Sequence, residues 1–344
     1  MTGPEIEIPP TCTGVTLPAG VTATDFDGAG TAWLGLADGS IACWPDGGSP
    51  QVRETPDAIT LCLAGLPVGC LAGGDGGVLR RVDAGGVVEE WEAPGGWIEH
   101  LLLHSATGRW AAVTPRGITL FDPETNAMRK VTDLAGAATG AAMRWDGAAI
   151  ALTHRAGFTL VPWNGAPATE HPVRGAIRTL AWRADGRYLA GPTQEGDLLA
   201  WQPADDGEVL LASEWGRLIL PCWSADSAWL AASAGERLLL WHFTGDAPPV
   251  RPDRDMTLES AAAICRLAWH PLLATLAVGQ RDGTVTVIAL ESGRQWCLPP
   301  NDGAAISALA WRGDGAALLA ADEAGNARLF TASGPASPVA DSPA

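Results

Sequence analysis

The chain has 344 residues and a formal net charge of −17, with 39 acidic residues against 22 basic ones and Lys130 as its single lysine. A phosphate-tracking surface needs clustered lysine and arginine, so neither nucleic acid nor an anionic membrane is expected as a partner. Hydrophobic residues reach 47% and charged ones only 18%, which calls for strands buried on both faces. No run of 18 apolar residues is present, and Met1-Thr2-Gly3-Pro4-Glu5 does not read as the start of a signal peptide.

Taken in order along the chain, one pattern recurs eight times: an apolar strand a, a tight turn, strand b, a second turn, strand c, then a more variable strand d. The a–b–c stretches run from Val21 to Trp44, Ile59 to Arg81, Trp97 to Phe121, and Ala138 to Trp163. They continue from Ile177 to Trp201, Leu218 to Trp241, Ile264 to Ile288, and Ile306 to Phe330. Turn signals separate the strands, as at Asp27-Gly28, Asp38-Gly39, Asp185-Gly186, Asp282-Gly283 and Asp314-Gly315. Asp-Gly between apolar runs predicts a type I′ hairpin, in which both central residues take positive φ. Strand b is rich in small residues, as in Leu230-Ala231-Ala232-Ser233 and Leu318-Leu319-Ala320-Ala321.

The strand-c ends fall 37 to 47 residues apart. A period near 40–45 residues with several short strands per unit is the signature of a β-propeller of the WD-repeat type. The expected fold is therefore all-β, with eight four-stranded blades; seven blades is the alternative and would leave one triplet without a place. Residues 12–332 are expected to form this single domain, with a flexible tail at 1–11 and a disordered one at 333–344. The Pro- and Ser-rich C-terminus cannot supply a central strand. The segment from Cys12 to Pro18 is expected to pair outside Ala327 to Phe330 and close the ring.

Two sets of tryptophans recur at fixed places. Trp145, Trp182, Trp223, Trp269 and Trp311 are expected to end strand a; Trp44, Trp163, Trp201 and Trp241 end strand c. Recurrence in every blade suits wedges between blades, while a ligand box would concentrate its aromatics in one place. The seven cysteines are odd in number and form no Cys-x-x-Cys pair, which suits free thiols in a reducing cytoplasm.

The runs Leu180-Ala181-Trp182-Arg183-Ala184-Asp185-Gly186 and Leu309-Ala310-Trp311-Arg312-Gly313-Asp314-Gly315 resemble WD-repeats. The order of the units also resembles a bacterial group of small stand-alone WD-repeat proteins. Gly73-Gly74-Asp75-Gly76, Trp97-Ile98-Glu99-His100, Ala268-Trp269-His270-Pro271 and Ser307-Ala308-Leu309-Ala310-Trp311 carry that second likeness. Members of the group are often encoded beside a CobW-type metallochaperone GTPase, so the resemblance implies a link to metal (zinc) homeostasis. The opening Gly-His and closing Trp-Asp of a standard repeat are missing, so the hydrogen-bond network those residues share cannot assemble, and apolar packing between blades must replace it.

Candidate chemistry is sparse. His100 and His104 point to one face of a predicted strand, which could begin a metal site, but the other histidines are scattered and no ligand-spaced cluster accompanies them. No nucleophile elbow, Walker loop or His-Glu-x-x-His is present, and Gly73 to Gly77 lies inside a hairpin rather than before a helix. No cofactor, metal or catalytic residue is assigned. The expected function is a non-enzymatic scaffold that binds a protein partner through the d–a and b–c loops, with Arg81, Trp97, His100, Arg116, Arg155 and Arg281 on that face. The alternative is a small-ligand or metal-binding propeller, or an enzyme working in the central channel.

Overall fold

The computed structural model describes residues 11–53, 58–93, 95–132, 134, 136–173, 175–203, 207–211, 216–245, 248–298 and 303–331. The tail expected at 333–344, and all but the last residue of the one expected at 1–11, lie outside these. Eight four-stranded antiparallel sheets account for all strands among the described residues, which contain no helix.

Blade 1 comprises Val21–Phe26, Ala32–Leu36, Ile41–Trp44 and Gln51–Arg53 as strands a to d. Blade 2 comprises Thr60–Gly65, Cys70–Gly74, Val78–Asp83 and Gly86–Glu92. Blade 3 follows with His100–His104, Arg109–Thr114, Gly117–Asp122 and Ala127–Val131. Blade 4 has Gly140–Met143, Ala149–His154, Gly157–Pro162 and Thr169–Pro172. Ala181–Trp182, Leu189–Pro192, Leu198–Gln202 and Gly207–Leu211 form blade 5. Blade 6 has Ile219–Trp223, Trp229–Ala234, Arg237–His242 and Arg254–Thr257. Blade 7 has Ile264–Trp269, Thr275–Gln280, Val285–Ala289 and Gln295–Leu298. Blade 8 takes Ile306–Trp311, Ala317–Asp322 and Asn326–Thr331, and its outer strand is Thr11–Thr16 from the other end of the chain. Thr13 stands opposite Leu329 and Val15 opposite Ala327 in that antiparallel pair.

Each strand a touches the strand a of both neighbouring blades, all the way round the ring. Strand b lies one place further out, with both faces covered by neighbouring blades; residues 230–233 and 318–321 are all buried. Ala and Ser at these places let the sheets approach closely. Strand d alternates between exposed and half-buried positions, as a solvent-facing edge should. Eight apolar clusters fill the structure, one at each blade junction.

The Asp-Gly turns differ from the expectation. None of the aspartates has positive φ; the glycine alone does at Gly39 (+91°) and Gly283 (+83°), and after Asp27-Gly28 it is Gly30 (+82°), so these are not type I′ turns. The aspartate caps the turn with its own side chain instead: Asp38 Oδ1 accepts the Ser40 N–H at 2.9 Å, and Asp282 Oδ1 accepts that of Thr284 at 3.0 Å. This local bond lets aspartate precede the glycine without itself entering the left-handed region.

The tryptophans that end strand a make a ladder. The indole N–H of Trp223 donates to the Ala181 carbonyl, that of Trp269 to Cys222 and that of Trp311 to Ala268, at 3.0–3.1 Å. Each bond runs back to strand a of the preceding blade. Trp182 has the same place, but its Nε1 is buried without a partner among the described residues. Trp44, Trp201 and Trp241 are at most 4% exposed and end strand c.

Trp145 is a correction. Met143 is the residue that ends strand a of blade 4, paired with Ile150. Trp145 lies two places on, in the turn, 52% exposed, and covers Gly186 of the next blade. Trp163 and Arg81 shift in the same way, since Val161 and Val82 hold the closing strand-c places and face the preceding blade.

At the end of the ring formed by the a–b and c–d turns, a residue at the end of strand a or just after it clasps the next blade. Asp27 accepts the Gly69 N–H at 3.1 Å, and His104 Nε2–H donates to the Trp145 carbonyl at 2.9 Å. Arg183 donates to the Ser227 carbonyl at 2.7 Å, and His270 Nε2–H to that of Gly315 at 3.1 Å. The four clasps start from blades 1, 3, 5 and 7. Arg312 of blade 8 then spans the seam to Asp46 of blade 1 at 3.0 Å. Polar links of this kind stand where the Gly-His and Trp-Asp network is missing.

Candidate partner-binding face

The opposite end of the ring carries the d–a loops and b–c turns. Arg116 stands in the blade 3 turn between Thr114 and Gly117, which the Thr114 hydroxyl closes by donating to the Gly117 carbonyl at 3.1 Å. Arg155 and Arg281 occupy the matching turns of blades 4 and 7, and all three side chains are exposed. Trp97 sits in the loop entering blade 3, 49% exposed, with its indole N–H donating to Glu99 Oε1 at 2.7 Å. The structure therefore brings Trp97, Arg116, Arg155 and Arg281 to one face.

Two arginines that sequence reasoning missed extend the set. Arg178 and Arg217 are exposed at the entries to blades 5 and 6. Each lies just before strand a, where the repeat alignment could have pointed to it. Blades 3 to 6 thus present Arg116, Arg155, Arg178 and Arg217 in succession. Among the described residues none of the four side chains has a hydrogen bond or ion pair. Glu195 and Glu236 are interspersed on the turns of blades 5 and 6. The matching turns of blades 8, 1 and 2 carry Glu323, Asp38 and Asp75, so the face is divided by charge.

Arg81 is not on this face. It lies near the far end of strand c in blade 2, opposite Leu71 and Glu89, toward the c–d turn. His100 begins strand a of blade 3 and is only half exposed; burial lowers its pKa and favours the neutral ring. His100 and His104 lie at opposite ends of one strand, about 13 Å apart at about 3.3 Å per residue, too far to share an ion. No group of three or more His, Cys, Asp or Glu side chains placed to hold a metal occurs among the described residues.

The cysteines are all unpaired. Burial pushes the Cys62 and Cys222 thiols up to about 12, so neither supplies a thiolate nucleophile near neutral pH. Cys62 and Cys265 instead donate to carbonyls of their own blade and of the next one, stitching adjacent strands a together.

Compared with known proteins, residues 267–336 match the family described as the anaphase-promoting complex subunit 4 WD40 domain. Fold and match together support a WD-repeat propeller. Among solved structures, the propeller is similar to a computationally designed protein, Ika8, with a TM-score of 0.74 and 14% identity over 92% of this chain and 97% of that one. At that identity the likeness speaks for the fold alone. No curated protein matches the propeller. No helix among its described residues is long and apolar enough to cross a membrane.

Proposed function

We propose that this propeller is a non-enzymatic scaffold that recruits an acidic segment of a partner protein across the loop face of blades 3 to 6. The observation that carries the reading is the run of four exposed arginines, unpaired among the described residues, on a chain of net charge −17. Isolated arginine is common on surfaces, but a run of them over consecutive blades is a local exception to the field of the whole molecule. Such a patch steers an acidic partner and fixes its register more than it adds raw affinity. Trp97 supplies an aromatic contact at the edge of the same arc. The clasps occupy many polar groups at the other end of the ring, which leaves the loop face freer to vary.

The resemblance to the bacterial stand-alone group makes a CobW-type GTPase the first partner to test, with a reducing cytoplasm as the setting that suits seven free thiols. The test pairs the purified propeller with that GTPase and, separately, with a dye-labelled Glu-Gly repeat peptide at low and high salt. Binding that weakens with salt and is lost in the Arg116→Glu, Arg155→Glu double variant, with an unchanged melting curve, is the expected result. Unaltered binding by the double variant overturns the proposal.

A further inference from the structure

Seven of the eight blades place an apolar residue where strand c faces the next blade: Cys43, Leu120, Leu160, Ala200, Leu240, Val287 and Leu329. These side chains are buried or nearly so, and they fill the junctions. In blade 2 the same place holds Arg81, opposite Leu71, with its side chain 46% exposed. An arginine cannot fill an apolar wedge, because its guanidinium must stay hydrated or paired.

The junction between blades 2 and 3 accordingly opens into a groove of about 710 Å³. Leu71, Trp110 and Phe121 form its floor, and the two rings stack at 5.0 Å. Trp91 and Met128, from the strands d of the two blades, form its walls, and Val68 stands at one end, 66% exposed. Arg81 and Glu89 occupy the rim, yet their ion pair spans 4.0 Å. The neighbouring pair, Arg80 and Glu90, closes to 2.7 Å. Arg81 is therefore held loosely at the mouth of an apolar groove, where a carboxylate from outside can displace Glu89 and form a bidentate pair.

We infer that the groove between blades 2 and 3 is a second docking site, for an extended peptide segment that inserts a large apolar side chain and presents an adjacent carboxylate to Arg81. Charge complementarity selects the carboxylate, and the aromatic floor selects the apolar anchor. Strand d of each blade borders the groove, through Glu89 and Trp91 on one side and Met128 on the other, which suits an extended chain better than a compact molecule. The site lies away from the arginine arc and does not depend on the loop-face reading.

A phage-displayed library of random dodecapeptides, selected on the full chain, tests the inference. Enriched peptides should pair a large apolar residue with Asp or Glu within three positions. They should bind about tenfold or more weakly to Arg81→Glu and to Val68→Glu. Val68→Glu is at a highly exposed place and guards against loss of folding, which the melting curve of each variant also monitors. Binding should persist in the Arg116→Glu, Arg155→Glu variant. Failure to enrich any peptide, enrichment without a carboxylate, or equal binding by the Arg81→Glu variant overturns it. Peptides lost only with Arg116 and Arg155 also overturn it, and belong to the loop face.

Discussion

At the residue scale, His270 shows how one side chain can replace a network. It is 3% exposed, packs edge-on to Trp311, and donates from Nε2–H to the Gly315 carbonyl. That leaves Nδ1 to accept the N–H groups of Leu272 and Leu273, both at 3.0 Å. A proton on Nδ1 would face two donors, so the fold wants the ring neutral, and burial lowers its pKa. Gly315 has φ of +75°, and a Cβ there would collide with the same imidazole. The unfolded chain takes up a proton near pH 6.5 while the folded one resists. Stability from His270 is thus full above about pH 6.5 and is lost as pH falls below it toward the lowered folded pKa. His100 contributes with the same sign. Ser224 fills the matching place in blade 6, which makes His270→Ser the conservative test. The variant should melt lower than the parent at about pH 7.5 and lose less on going to about pH 5.5. Parallel pH profiles for the two proteins would remove His270 from this role.

At the element scale, the eight-blade pattern could be read from the sequence because every unit repeats its turns and apolar strands. The register inside a strand was harder to read. A strand flips faces with every residue, so an error of one place moves a side chain from one junction to the opposite one. Arg81 beside Val82 shows this, since Val82 is fully buried toward blade 1 while Arg81 points toward blade 3. Trp145 misled differently, because it lies two places beyond the strand, in the blade 4 turn. The arginine arc was half legible: turn residues announce themselves, while Arg178 and Arg217 precede strands with no local signal. Register has a sharp mutational consequence. Val82→Asp buries a carboxylate with no partner and should abolish cooperative unfolding, whereas Arg81→Asp should stay within about 0.5 kcal/mol of the parent. Similar melting curves for the two variants would show that the faces are assigned wrongly.

At the scale of the whole molecule, the ring is held by apolar junctions and by a single strand that joins its ends. Thr11–Thr16 covers the edge of blade 8, and the Thr16 hydroxyl reaches Asn326 Oδ1 at 3.1 Å. Leu17, just beyond, is buried in the cluster shared by blades 8 and 1. Removing residues 1–18 should therefore open an edge, lower the thermal midpoint sharply and promote self-association. A truncated chain that melts like the parent and remains monomeric by light scattering would contradict this.

The same strand imposes an order on folding. Thr16 and Asn326 are separated by 310 positions, so the contact that seals the ring cannot form until all the intervening chain has been made. At about 5–20 residues per second, the first strand waits roughly 15–60 s for its partner to leave the ribosome. Seven blades can form from contiguous sequence during that interval, but the eighth needs both ends of the chain at once. Folding of this propeller thus finishes with a slow, non-local closure, and until then the nascent chain exposes an unpaired strand and an uncovered blade edge to whatever else is present in the cell.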